Sequence, residues 1–255
     1  MAQYIRSKDN RKIKHALKLS RDASARRREK AFFVSSSKAV RDLIDRGFTA
    51  AEVFATHKGI EKLETDSLGY RLFEISERVA EKLSDSRTDD GVWAVFEMPD
   101  EGSGPDLLCD RVLVLCDVQD PNNVGAVMRT AMALGYEQVI LTEGCADVYS
   151  PKVIRTSMTA SVRLRTCRTS DIFRMTESLE KAGYSTVATC LRDSVELGEW
   201  RPEGKVAIYI GNEGNGLDDR LIDRCLVRLK IPMKGDIDSL NAGVSRRIVM
   251  WELRK

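Results

Sequence analysis

The sequence predicts an α/β protein in two parts, each built on a sheet covered by helices, and three observations carry this. Short apolar runs alternate with helical patterns along the whole chain. The run RVLVLCDV at 111–118 is nearly continuous in apolar residues, as strands buried on both faces of a parallel sheet are. PDEGSGPD at 99–106 gathers two prolines, two glycines and three acids into eight residues, the composition of a linker. The expected division is a first domain over 1–98, a linker over 99–106 and a second domain over 107–255.

In the first part, AFFVS (31–35) reads as a buried strand. KAVRDLIDRG follows as a helix with Ala39, Val40, Leu43 and Ile44 on one side and Gly47 at C′. EVFAT (52–56), a short helical GIEKLE and YRLFEI (70–75) continue the alternation. Ser76 stands where it can cap a helix through Leu83, and GVWAVFEM (91–98) is the last strand.

The second part starts with the 111–118 strand. A turn at QDPNN leads into the helix VGAVMRTAMALG, closed by Gly135. EQVILTEG is a strand, SPKVIRTSM a helix with Pro151 in its first turn, and VRLRTC a short strand. SDIFRMTESLEKAG is helical, with only half a capping box because Phe173 stands where Glu would complete it on Ser170. STVATC, VAIYIGN and LVRLKI are strands, and LDDRLIDR is a helix. A mainly parallel sheet covered on both faces follows from this order. After Ser239, an expected N-cap, Leu240, Val244, Ile248 and Trp251 recur at helical spacing and make one apolar stripe. Asn241 sits in the first turn, off that stripe and free to reach a ligand.

With 255 residues, 42% hydrophobic and 31% charged, the chain is long enough for sizeable cores and has the composition of a globular protein. No apolar run approaches the roughly 20 residues that span a bilayer. The polar, basic start has no apolar signal region, so the expectation is a cytoplasmic protein. Six cysteines form no CxxC pair and no regular framework, which predicts reduced thiols. His15 and His57 are the only histidines, so no metal site is expected.

The net charge of +2 conceals an asymmetry. Residues 1–30 hold eleven Lys/Arg against three acids, a net +8, and the other 225 residues total −6. Such a basic arm suits the tracking of phosphates, or equally forms a solvated helix face or a loose tail.

Three segments in the second part carry candidate chemistry. DVQDPNNVGAVMRTA (117–131) begins where a parallel strand ends, the place open α/β sheets put their ligands; Asn122 and Asn123 lie at the following helix start, and Arg129 stands six residues after Asn123, on a different ridge, or the segment is a turn followed by a surface arginine. GNEGNGL (211–217) is not a dinucleotide fingerprint, because Glu213 occupies the place where a glycine would admit a pyrophosphate; it suits a ligand with a positive centre, or is a tight turn. IPMKGDIDSLN (231–241) is a bend whose main chain can enclose an adenine or a ribose, or a plain connection.

In order, the three resemble the motifs of the SpoU-type (TrmH-like) RNA ribose 2′-O-methyltransferases of the SPOUT superfamily. The matching residues are Pro121, Asn123, Gly125 and Arg129; Gly211, Glu213, Gly216 and Leu217; and Ile231, Pro232, Met233, Gly235, Ser239, Leu240 and Asn241. At about 5% usage per residue type, four fixed positions meet by chance on the order of once in 10⁵ starts, and three such motifs in order are not coincidence.

The resemblance implies a trefoil-knotted α/β catalytic domain that binds S-adenosylmethionine, preceded by a small α/β RNA-binding domain, and a homodimer needing no metal. It implies that Gly211, Ile231, Met233 and Leu240 line the cofactor pocket. Arg129 is implied as the catalytic group, with Asn123, Glu213, Ser239 and Asn241 positioning it and the ribose. Ribosomal RNA is the expected substrate. The alternatives are a transfer-RNA methyltransferase, a resistance methyltransferase acting on ribosomal RNA, and a non-catalytic RNA-binding assembly protein of the same fold. The chain departs from the family at Ala242, where Val is common, and at Arg246 and Arg247, where small residues are common. On a helical wheel Arg247 borders the apolar stripe and Arg246 points away. Ser35, Ser36 and Ser37 replace the Glu-Gly common after the first strand.

Overall fold

The basic opening stretch folds into the body of the first part. A computed structural model describes residues 3–63, 70–84, 90–99, 109–234 and 240–254. The chain forms β1 (Gln3–Ile5), α1 (Arg11–Arg21), α2 (Ala23–Glu29), β2 (Ala31–Ser35) and α3 (Ser37–Asp45). It continues through β3 (Ala50–Ala55), α4 (His57–Leu63), β4 (Arg71–Ile75), α5 (Glu77–Leu83) and β5 (Val92–Glu97). The sheet order is β1-β4-β3-β5-β2; β4 runs parallel to β1 and β3, while β5 is antiparallel to β2 and β3.

In α1, Ile13, Ala16 and Leu17 follow helical spacing and, with Ile5, Leu19 and Ala25, enter the core around Phe33, Phe54 and Trp93. Of the open alternatives for residues 1–30, the loose tail is therefore ruled out. Arg26 does not belong to a cationic surface either. It is buried, with Nε and Nη2 on Asp147 Oδ2 at 2.8 and 2.7 Å and Nη1 donating to Leu19 O at 2.5 Å, because a guanidinium leaves water only when paired. After β2, Ser36 takes φ 93°, a region that favours glycine, and the Asp90 carboxylate accepts from Ser37 N and Oγ. Ser76 is the N-cap residue of α5, but its side chain makes no cap hydrogen bond.

The second part opens with β6 (Arg111–Leu115), α6 (Pro121–Ala133) and β7 (Gln138–Thr142). Asp120 caps α6 by accepting from Asn122 N at 2.9 Å, and Pro121 occupies the first turn, where no N–H is needed. Next come α7 (Pro151–Ser157), α8 (Ala160–Arg163), β8 (Arg165–Thr169), α9 (Ile172–Lys181), β9 (Tyr184–Thr189) and the short β10 (Val195–Glu196). The cap of α9 is Asp171, accepting from Arg174 N at 3.0 Å, and not Ser170. The chain ends with β11 (Lys205–Ile210), α10 (Asp219–Arg224), β12 (Val227–Lys230) and α11 (Ala242–Glu252). All seven strands of this sheet run parallel, in the order β10-β12-β9-β11-β6-β7-β8.

The chain divides into two compact units: Met1–Asp100 with Asp147–Val162, and Glu101–Ala146 with Arg163–Lys255. Residues 147–162, read in the sequence as part of the second domain, thus cluster with the first; Tyr149 packs on Phe32 with ring centroids 5.5 Å apart. Apart from Pro99, the expected linker lies outside the described residues. So do residues 235–239 of the third motif. None of the six cysteines, all of them described, is in a disulfide, and no helix among the described residues is long and apolar enough to cross a membrane.

Candidate active site

The site is assembled at the C-terminal ends of β6, β9, β11 and β12, where parallel strands deliver their following bends to one edge of the sheet. After β11 the chain turns sharply. Asn212 and Gly216 exchange both backbone hydrogen bonds, at 2.9 and 3.0 Å, and the Asn212 side-chain oxygen accepts from Gly214 N at 2.8 Å. Gly216 supplies the left-handed residue, with φ +69°. Gly211 must be glycine, since a Cβ there would lie 2.3 Å from the Gly216 carbonyl carbon. Asn212 Nδ2 donates to Asp117 O at 2.8 Å, tying this bend to the one after β6.

A cavity of about 270 Å³ opens beside the bend. Its wall is largely apolar, from Ile208, Ile210, Leu229 and Val249, and includes Gly211, Ile231, Met233 and Leu240, all four residues expected to hold a cofactor. Its polar groups include Asn212, Ser245 and Arg246. The Cys190 thiol also lines it, and burial raises its pKa above the ordinary thiol value, so it contributes a neutral wall.

Glu213 extends from the bend to the start of α6, where its Oε1 accepts from Asn123 Nδ2 at 3.0 Å. The same oxygen meets Arg246 Nη1 at 3.2 Å, and Arg246 Nη2 donates to Gly211 O at 2.7 Å. Arg246 does point away from the Val244–Ile248–Trp251 stripe, but into packed protein and not to solvent, being only 8% exposed. The apolar stripe itself is outward: Val244 is 43%, Ile248 37% and Trp251 56% exposed, while Val249, Met250 and Leu253 are buried. The helix is held in that rotation by the Arg246 bonds and by Tyr136 OH, which donates to Met250 O at 2.9 Å. A wheel drawn through the largest apolar residues misses Arg246; the series 246, 249, 250 and 253 is equally helical in spacing and marks the buried face.

Two further expectations change. Asn241 is not free: it caps α11, its Oδ1 accepting from Gly243 N at 3.0 Å, and it is exposed. Ser239, expected as that cap and as a site residue, lies outside the described residues. Arg129 is exposed on α6, does not line the cavity, and has no hydrogen bond or ion pair among the described residues. The structure thus joins Asn123, Glu213 and the four cavity residues, while Arg129, on the same helix as Asn123, makes no hydrogen bond or ion pair with them.

Comparison with known proteins accords with this geometry. The model of the SpoU rRNA methylase family matches residues 110–251, and that of the MRM3-like substrate-binding domain matches residues 10–94. The chain is 26% identical to the 23S rRNA (guanosine(2553)-2′-O)-methyltransferase RlmP of Bacillus subtilis (strain 168), over 98% of each chain. It superposes with TM-score 0.83 and 28% identity on a putative RNA methyltransferase of the TrmH family from Porphyromonas gingivalis, covering 96% of this chain and 97% of that one. An AdoMet-bound rRNA methyltransferase from Sinorhizobium meliloti gives TM-score 0.81 and 26% identity, covering 98% and 97%. With its parallel sheet, its cavity at the strand ends and a family match over more than half its length, the chain belongs to the SpoU family of S-adenosylmethionine-dependent RNA ribose 2′-O-methyltransferases, here with an MRM3-like substrate-binding domain.

Proposed function

We propose that this protein methylates a ribose 2′-hydroxyl of ribosomal RNA in the cytoplasm, acting as a homodimer. The observation that carries the reading is the cavity lined both by the 211–217 bend and by Ile231, Met233 and Leu240, with Glu213 linking that bend to Asn123 of α6. Its residues fit the donor: an apolar wall suits an adenine, and the polar groups of Asn212, Ser245 and Arg246 suit the zwitterionic end. Bound there, S-adenosylmethionine supplies a methyl group on a sulfonium for in-line transfer to oxygen.

Gly211, Ile231, Met233 and Leu240 hold the donor, largely through main chain and apolar contact. Asn123 and Glu213 fix the mouth of the site, Ser239 orients the ribose, and Asn241, whose Oδ1 caps α11, does so through its amide nitrogen. Arg129 stabilises the alkoxide that develops as the 2′-hydroxyl loses its proton. A guanidinium, which keeps its charge, takes that proton itself only with help from its surroundings, such as an RNA phosphate. Arg129 does not line the cavity of its own chain, and in this reading a second copy brings it to the donor. The exposed Val244, Ile248 and Trp251 of α11 supply a face for pairing, of the kind that monomers rarely leave bare.

Calorimetric titration with S-adenosylhomocysteine tests the donor site. One site per chain is expected, and Leu240→Trp, which fills the cavity, abolishes the heat. No binding by the unsubstituted protein would overturn the reading.

A further inference from the structure

Arg246 sits in the second turn of α11, and its guanidinium meets two groups of the 211–217 bend. One N–H donates to the Gly211 carbonyl at 2.7 Å and another to Glu213 Oε1 at 3.2 Å. The carbonyl belongs to the residue that follows β11 and lines the cavity; the carboxylate is the one that accepts from Asn123 at 3.0 Å. Arg246 lines the same cavity. One buried cation therefore forms part of the donor wall and, through a shared oxygen, fixes the carboxylate facing α6.

We propose that Arg246 is a positioning residue of this enzyme, coupling donor binding to the placement of Glu213. This rests on the donor-site reading above. The planar fork of arginine presents several N–H groups in fixed directions, so it can hold a carbonyl and a carboxylate together, whereas an ammonium acts as a point charge. With the fork removed, the 211–217 bend loses its tie to α11, and Glu213 keeps only the Asn123 amide. Donor affinity and Glu213 placement should then fail together. An arginine that merely neutralised charge or filled space would leave them independent.

The test is a double-mutant cycle on the full-length protein. S-adenosylhomocysteine affinity is read by calorimetry, with thermal unfolding alongside, for the unsubstituted protein, Arg246→Met, Arg246→Lys, Glu213→Gln and the Met/Gln pair. Arg246→Met is expected to weaken binding about tenfold, the equivalent of one lost charge-assisted hydrogen bond. Arg246→Lys should recover part of that loss, and the double variant should bind no worse than the weaker single variant. Wild-type affinity in Arg246→Met, or losses that multiply in the double variant, would overturn the proposal even if the unfolding temperature fell. Should Arg246→Met not fold, Arg246→Lys carries the test: weakened binding with unchanged circular dichroism supports the coupling, and wild-type affinity overturns it. Failure of the unsubstituted protein to bind would instead remove the donor site on which the proposal rests.

Discussion

Glu213 Oε1 accepts hydrogen bonds from Asn123 and Arg246, so a single oxygen joins the bend after β11 to the starts of α6 and α11. Arg129 has the opposite character, exposed and without a polar partner among the described residues, as suits a group that engages substrate. Replacing it with Ala is expected to lower methyl transfer to ribosomal RNA by about 10²–10³, the usual cost of one donor to a developing oxyanion. S-adenosylhomocysteine binding should be unchanged, and full activity would remove Arg129 from the mechanism. At this scale Gly211, Ile231, Met233 and Leu240 were reached through the resemblance to the family's motifs, and all four line one cavity. The sequence did not disclose Arg246, whose burial depends on an ion partner 33 residues away, nor the use of Asn241 as a cap, a role Ser239 fills equally well on sequence grounds.

At the scale of elements, α11 has two unlike faces. One carries Arg246, Val249, Met250 and Leu253 into the second unit, and the other presents Val244, Ile248 and Trp251 to solvent. The stripe was legible; its direction was not, because periodicity gives a helix an apolar side without saying what covers it. Ile248→Asp should therefore shift the protein from dimer to monomer in sedimentation equilibrium while leaving its circular dichroism intact. A single-chain mass for the unsubstituted protein would refute pairing through this face. The three-residue β1 and the helices α1 and α2 were hidden by a charge count, although Ile13, Ala16 and Leu17 already had core spacing. Deleting residues 1–30 would strip the first unit of that core.

For the whole molecule, the +8 of residues 1–30 lies on a folded surface, apart from the buried Arg26. Arg11, Arg21 and Arg27 are exposed, and changing them to Ala together should flatten the salt dependence of RNA binding by about 0.7–0.9 for each phosphate they neutralise. An unchanged slope would mean that these three side chains do not touch RNA. The α/β class and the parallel second sheet were readable from the alternation of patterns, whereas the clustering of residues 147–162 with the first unit arises from packing against residues more than a hundred positions earlier, such as Asp147 with Arg26. The central claim is that the acceptor is a ribose 2′-oxygen. Its most direct test is alkaline hydrolysis of ribosomal RNA labelled by this protein from methyl-labelled S-adenosylmethionine. A methylated 2′-oxygen cannot attack the neighbouring phosphate, so the label is predicted in an alkali-resistant dinucleotide; label recovered in mononucleotides would place the methyl group on a base and contradict the account.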